Sequence, residues 1–366
     1  MLYKKVQIKK MKIGVIGPIW QNIPPAGYGG TEEVVYNLVN GLSAKGHEVT
    51  LFGPKTAQVN ARLAPTVFAP LIQQGIDWSN VCYTLLHIIE AFQQAEKFDI
   101  LHMHLNKAQD YVSLPLSAML STPVLFTLHF KLPTPSYYKD RYEVLCRYKQ
   151  LPYVSISDSQ RRPLDMHYVR TVYNGLDLRQ FPFSDKKGDY LVWLGKIKAS
   201  KGTKEAILAA RQTGIKLYVM GAVDKNVPEM LSYYEHEVLP LCDNKQVIML
   251  GEVSQAEKAR VLGGAMAFLN PIQWEEPFGL VMAEAQAVGT PVISFRRGSA
   301  PEIVIEGKTG FLVDSVEEMA AKIKEVERLN RRDCRKNVEE RFTIEKMVEG
   351  YEKAYQQLRA RDALSK

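Results

Sequence analysis

Two hydrophobic patterns alternate along this chain: short unbroken apolar runs of strand length, and longer stretches whose apolar positions recur every three or four residues. The first run, 11–17, reads as a buried strand. A glycine-rich segment follows it, and over 32–45 the residues Val35, Leu38, Val39 and Leu42 carry helical spacing. Further strands are predicted at 49–52, 100–103, 124–128 and 153–156, with an apolar helix over 81–94 between two of them. This alternation predicts an α/β chain built on a doubly wound parallel sheet.

The polar stretch Ser184-Asp185-Lys186-Lys187-Gly188-Asp189 interrupts the pattern and reads as a linker. It divides an N-terminal domain, 1–184, from a C-terminal domain, 185–342. The second domain repeats the plan, with strands near 190–194, 216–220, 247–250, 267–269 and 291–294 and helices such as 204–212 and 255–262. A closing helix is expected over about 343–361, and no repeat of solenoid period is present.

Composition adds few constraints. The chain has 366 residues, 46% of them hydrophobic and 24% charged, enough for two packed cores. Charge or proline interrupts every apolar run well short of the roughly 20 residues a spanning helix needs, and the start lacks the apolar core of a signal peptide. A cytoplasmic location is expected. Cys82, Cys146, Cys242 and Cys334 show neither paired nor zinc-binding spacing, which fits a reducing compartment and no structural metal. The formal charge of +7 gathers at Lys4, Lys5, Lys9, Lys10 and Lys12 and at Arg331, Arg332, Arg335 and Lys336. Such clusters are solvated faces or peripheral contacts with an anionic membrane; no nucleic-acid motif accompanies them. Residues 1–10 precede the first strand and read either as a flexible leader or as a start-site artefact.

Chemistry concentrates in Glu276-Pro277-Phe278-Gly279-Leu280-Val281-Met282-Ala283-Glu284. Pro277 and Gly279 favour a turn, and 280–288 reads as a helix whose first N–H groups have no internal partner, an end that attracts phosphate. A strand before and a strand after place this junction at the carboxyl edge of a parallel sheet, where open α/β folds bind nucleotides. Gly29 and Gly30 open an earlier helix and permit close backbone approach to a phosphate or an acceptor. No Asp-x-Asp pair, P-loop, dinucleotide fingerprint or Ser-His-Asp arrangement occurs.

Along the chain also come Gly46-His47-Glu48-Val49, Thr127-Leu128-His129, Tyr173-Asn174-Gly175-Leu176-Asp177, Leu194-Gly195-Lys196 to Lys201-Gly202, and Gly307-Lys308-Thr309-Gly310-Phe311-Leu312-Val313. With the paired glutamates, this ordered set resembles the retaining nucleotide-sugar glycosyltransferases of family 4. The resemblance implies a GT-B fold: two Rossmann-like doubly wound parallel-sheet domains facing an interdomain cleft, the N-terminal one binding acceptor and completed by the closing helix, the C-terminal one binding donor.

It also implies a reaction, transfer of a hexose from a nucleoside-diphosphate sugar, UDP-linked, to an acceptor hydroxyl with retention of configuration. Lys196 and Lys201 are then assigned to the diphosphate leaving group, where fixed cations stabilise the transition state more than the ground state. Family members carry Arg at the first of these positions, so Lys196 keeps the charge and loses the bidentate fork. Glu284 is assigned to the ribose diol and Glu276 to the donor sugar. His129 is also assigned to that sugar, through its imidazole or its backbone carbonyl, and the backbone N–H groups of Phe278, Gly279 and Leu280 to the sugar and diphosphate. The segment from Pro271 to Glu276 is one residue longer than the family pattern and includes Trp274. His102 and His104 match no family position; they could ligate a metal only if a third ligand converged. No metal or other cofactor is expected.

Three alternatives stay open: an epimerase, a phosphorylase, or an inactive nucleotide-sugar-binding protein on the same fold. The acceptor is a sugar, a lipid-linked group or a small molecule. The tyrosine-rich segment 131–148 either lines its site or packs as an amphipathic helix.

Overall fold

The computed structural model describes residues 10–27 and 29–365; Lys4, Lys5 and Lys9 lie outside them. The chain forms two compact units, one of residues 1–175 and 344–366, the other of residues 176–343.

The first unit is built on a seven-stranded parallel sheet: β1 (Lys12–Ile16), β2 (Glu48–Pro54), β3 (Arg62–Val67), β4 (Ile100–Leu105), β5 (Val124–Leu128), β6 (Tyr153–Ser155) and β7 (Tyr168–Thr171), in the order β3-β2-β1-β4-β5-β6-β7. Its central strands are fully buried, so they read as continuous apolar runs. The outermost strands, β3 and β7, carry no such run. Both are edge strands with half-exposed residues, and β3 contains Pro65, which an edge position tolerates because one face of the backbone needs no partner.

The second unit carries a six-stranded parallel sheet: β8 (Tyr190–Leu194), β9 (Lys216–Met220), β10 (Val247–Gly251), β11 (Ala267–Asn270), β12 (Val292–Phe295) and β13 (Gly310–Val313), in the order β10-β9-β8-β11-β12-β13. Trp193, Leu217, Leu269, Ile293 and Phe311 meet in a core with the helix Thr203–Thr213.

The first unit ends at Gly175 rather than at residue 184. Residues 176–184 belong with the second unit because their backbone is bonded there: Leu176 N donates to Phe342 O at 2.8 Å and Ser184 N to Val288 O at 3.0 Å. The polar stretch 184–189 is therefore the lead-in to β8 and not a linker. The final helix, Ile344–Ser365, packs in the first unit, where Tyr351 and Tyr355 are fully buried.

The basic cluster near residue 331 is not a uniformly solvated face. Arg331 is buried and donates to the carbonyls of Ser184, Ala265 and Gly263 and to Thr290 Oγ1. Arg335 donates to the carbonyls of Phe181 and Ala287. These guanidiniums tie loop ends together, which leaves Arg332 and Lys336 as the exposed charges. No helix among the described residues is long and apolar enough to cross a membrane. The segment 131–148 divides: the helix Lys139–Arg147 packs Tyr142 against the core, as does Tyr148 beyond it, whereas Tyr137 and Tyr138 are exposed.

Candidate active site

Strand order reverses between β8 and β11 in the second sheet, the kind of point where open α/β sheets bind ligands beyond the strands' carboxyl ends. The two loops leaving these strands carry the residues singled out above. Lys196 follows β8 and is half-buried. A short turn, Ala199–Lys201, then brings the chain to Gly202 at φ 73°, left-handed. A Cβ there would lie 1.9 Å from the carbonyl oxygen of Pro271, so only glycine allows the β8 loop to rest on the β11 loop. Gln273 N fixes that contact by donating to Ser200 O at 2.9 Å.

The close approach sets Lys201 against Glu276. The ammonium donates to Glu276 Oε2, and Trp274 Nε1 donates to the same oxygen at 3.1 Å. The ammonium groups of Lys201 and Lys198 lie 5.3 and 5.5 Å from the Trp274 ring centre. Burial, then the like charge of Lys201 and to a lesser degree Lys196, holds the Lys198 ammonium below the ordinary lysine range, with Glu276 opposing. Lys201 and Lys198 thus gather beside one carboxylate, with Lys196 close enough to act on Lys198, and an anion between the lysines would relieve their repulsion.

Behind Glu276 the chain is held at both ends. Glu275 Oε2 accepts from Gly298 N at 2.7 Å, and the Glu276 carbonyl accepts from Ser299 N at 3.0 Å. Phe278 is buried against Phe342, and its carbonyl accepts from Ser299 Oγ at 2.5 Å. Gly279, left-handed at φ 73°, then starts the helix Leu280–Ala287. Glu284 lies inside that helix and is 5% exposed. Its Oε1 accepts from Lys258 Nζ at 2.9 Å, and its Oε2 is buried without a partner. An orphaned carboxylate oxygen is costly unless a ligand donor fills the vacancy.

In the first unit the order reverses between β1 and β4. The β1 loop leads to Gly29, whose carbonyl accepts from Glu33 N at 3.0 Å as the helix Gly30–Ala44 begins. Glu32 and Glu33 occupy its first turn. These acidic side chains complement the positive end of the helix dipole, and Glu32 is buried. His129 follows β5, extends the ladder by donating its N–H to Leu105 O at 2.9 Å, and pairs through Nε2 with His104 Nδ1 at 2.8 Å. Burial depresses the His129 pKa to about 3, so its ring is neutral at pH 7. His102 bonds Tyr355 and Thr127 instead. Among the described residues no group of three or more His, Cys, Asp or Glu side chains is placed to hold a metal ion.

Three residues that sequence reasoning left without a role enter here: Lys258 through Glu284, His104 through His129, and Lys198 beside Lys201. Lys258 and Glu284 are 26 positions apart on different helices, and no local spacing signals that pair.

The architecture of each unit, and the carboxylate and lysine cluster at a sheet's switch point, define a class of enzyme. Residues 28–180 match the family model "Glycosyltransferase Family 4" and residues 176–341 match "Glycosyl transferases group 1". Sucrose-phosphate synthase from Thermosynechococcus elongatus shares the fold at TM-score 0.80 and 20% identity, covering 96% of this chain and all of its own. HepE from Anabaena, solved in complex with UDP and glucose, does so at TM-score 0.70 and 16% identity, over 95% of this chain and all of its own. The phosphatidyl-myo-inositol mannosyltransferase of Mycolicibacterium smegmatis is 25% identical over 338 residues, 85% of this chain and 83% of its own. The chain has the GT-B fold and belongs to the family-4 type of glycosyltransferases.

Proposed function

We propose that this glycosyltransferase moves a hexose from a UDP-linked sugar to an acceptor hydroxyl, with retention of anomeric configuration and without a metal, in the cytoplasm. One observation carries the reading: Lys201, Trp274 and Glu276 converge at the second sheet's switch point, eight residues ahead of a buried carboxylate with one unfilled oxygen. Glu284 Oε2 suits one hydroxyl of a ribose diol while Lys258 holds Oε1. Lys196 and Lys201, with Lys198 beside them, suit the charge that grows on a departing diphosphate. Glu276, already an acceptor for two donors, orients sugar hydroxyls at the same edge. The complex of HepE with UDP and glucose favours UDP as the nucleotide.

Retention follows from the reading that the leaving phosphate takes the acceptor's proton. That route needs neither an enzymic nucleophile nor a general base on the opposite face, and no side chain in the cluster stands out for either task. The hydroxyl acceptor is a sugar, a lipid-linked group or a small metabolite. Peripheral contact with an anionic membrane has less support than the sequence offered, because Arg331 and Arg335 are engaged in structure.

The test is a donor screen by thermal shift, then transfer from the best α-linked UDP-hexose to an acceptor panel, with and without EDTA. Proton NMR of the product reads the anomeric coupling. An α-glycoside formed at an undiminished rate under chelation is expected. A β-linked product or an epimerised donor would sink the mechanism, and a loss above about tenfold restored by Mg²⁺ would sink metal independence.

A further inference from the structure

His104 carries a function that resemblance does not assign. In the parallel β4–β5 ladder His104 stands opposite Thr127, so His102, His104, Thr127 and His129 project from one face of the first sheet. The rings form a row: His102 and His104 have centroids 4.1 Å apart with their planes tilted by 34°, and His104 and His129 have centroids 5.1 Å apart with nearly parallel planes. The near end of the row is anchored. Thr127 Oγ1 donates to Tyr351 OH at 3.2 Å, so it accepts from His102 Nε2–H at 2.7 Å, and His102 Nδ1 accepts from Tyr355 OH at 2.8 Å. At the far end His104 Nδ1 and His129 Nε2 are 2.8 Å apart. Burial keeps both rings neutral, so one proton lies between them.

Which ring donates is decided by the other nitrogen of His104. Its Nε2 is buried and has no partner. A bare lone pair there is tolerable, whereas a buried N–H without an acceptor is rare. We propose that His104 is a positioning residue: its Nδ1–H donates to His129 Nε2, which forces the His129 proton onto Nδ1 and presents an N–H, not a lone pair, at the carboxyl edge of the first sheet. His129 then donates to a substrate oxygen, a sugar hydroxyl or a phosphate oxygen, and does not act as a base. This rests on the reading that His129 meets substrate.

The full-length chain labelled with ¹⁵N-histidine tests the arrangement. At neutral pH the wild type is expected to show a nitrogen–nitrogen coupling across the His104–His129 bond, with His129 protonated on Nδ1. Protonation on Nε2 overturns the proposal without any variant having to fold. His104→Leu removes the donor, and His104→Asn returns an amide near the Nδ1 position. With UDP-glucose as the probe donor, His104→Leu should lose roughly tenfold in kcat/KM, the ratio that one hydrogen bond supplies, and His104→Asn should regain most of it. If folded His104→Leu keeps the wild-type His129 tautomer, the positioning role is wrong. If the tautomer changes and turnover does not, positioning stands and the assignment of His129 to substrate falls instead.

Discussion

Lys258 donates to one oxygen of Glu284 at 2.9 Å and leaves the other oxygen of that buried carboxylate without a partner. The pair therefore has a structural half and a vacant half, and substitutions separate them. Lys258→Met strands a buried charge and should cost on the order of 3 kcal/mol in urea unfolding. Adding Glu284→Gln should recover much of that stability, since the charge is gone. UDP binding by calorimetry should stay weak in the double variant, because the diol has lost its ionised acceptor. Full recovery of both properties together would mean that Glu284 is only a structural ion pair.

Lys201 and Lys196 are expected to differ in how they fail. Lys201→Ala removes a cation from the lysine cluster proposed to meet the diphosphate and a donor from Glu276, and should lower kcat/KM by roughly 10²–10³. Lys196→Arg keeps the charge and should be tolerated far better than Lys196→Ala. Near wild-type turnover in both alanine variants would remove the lysines from the mechanism.

Gly202 and Gly214 form a controlled comparison, since both have φ 73°. An alanine at Gly214 meets nothing within 4 Å and should cost about 1 kcal/mol of left-handed strain. At Gly202 the same strain is joined by a clash with the Pro271 carbonyl, which must push apart the loops bearing Lys201 and Glu276. Gly202→Ala should therefore lose more stability in denaturant melts and also lose turnover. Equal effects of the two substitutions would show that the loop contact does not matter.

Acid should weaken the first unit below pH 6.5, before ordinary carboxylates begin to titrate. Burial lowers the pKa of His87 to about 4 and of His102 and His129 to about 3, against an unfolded value near 6.5. The folded state binds fewer protons than the unfolded one in that window. The contribution is fully present above pH 6.5 and is lost as pH falls toward 4 and 3, by up to about 1.4 kcal/mol per pH unit for each such histidine. Tm should be level from pH 7.5 to 6.5 and fall steadily below. A level Tm down to pH 5 would contradict the neutral, buried state of these rings.

The alternation of apolar runs with helical periodicities was sufficient to predict two doubly wound sheets, because strands covered on both faces must be continuously apolar and crossover helices must be amphipathic. The edges of the first sheet escaped that logic. β3 and β7 are half-exposed edges, and their sequences carry no buried run. The positions of the glutamate motif, the two lysines and His129 at strand ends or a helix start were legible, because each sits in a local signature. What they touch was not. Lys201 meets Glu276 across 75 positions, Glu284 meets Lys258 across 26, and His129 meets His104 across 25, each pairing created by strand order rather than by neighbouring residues. Arg331 and Arg335 teach the same lesson in reverse, since a run of basic residues reads as a solvated face until the carbonyl ends of distant loops are brought beside it. Sequence by itself determined which segments are strands and helices and which side chains can carry charge at the sheet's edge. Tertiary structure alone decided which of those charges are paired, which are buried, and which oxygen is left open, because burial and pairing depend on distances that the chain acquires only when its crossovers close.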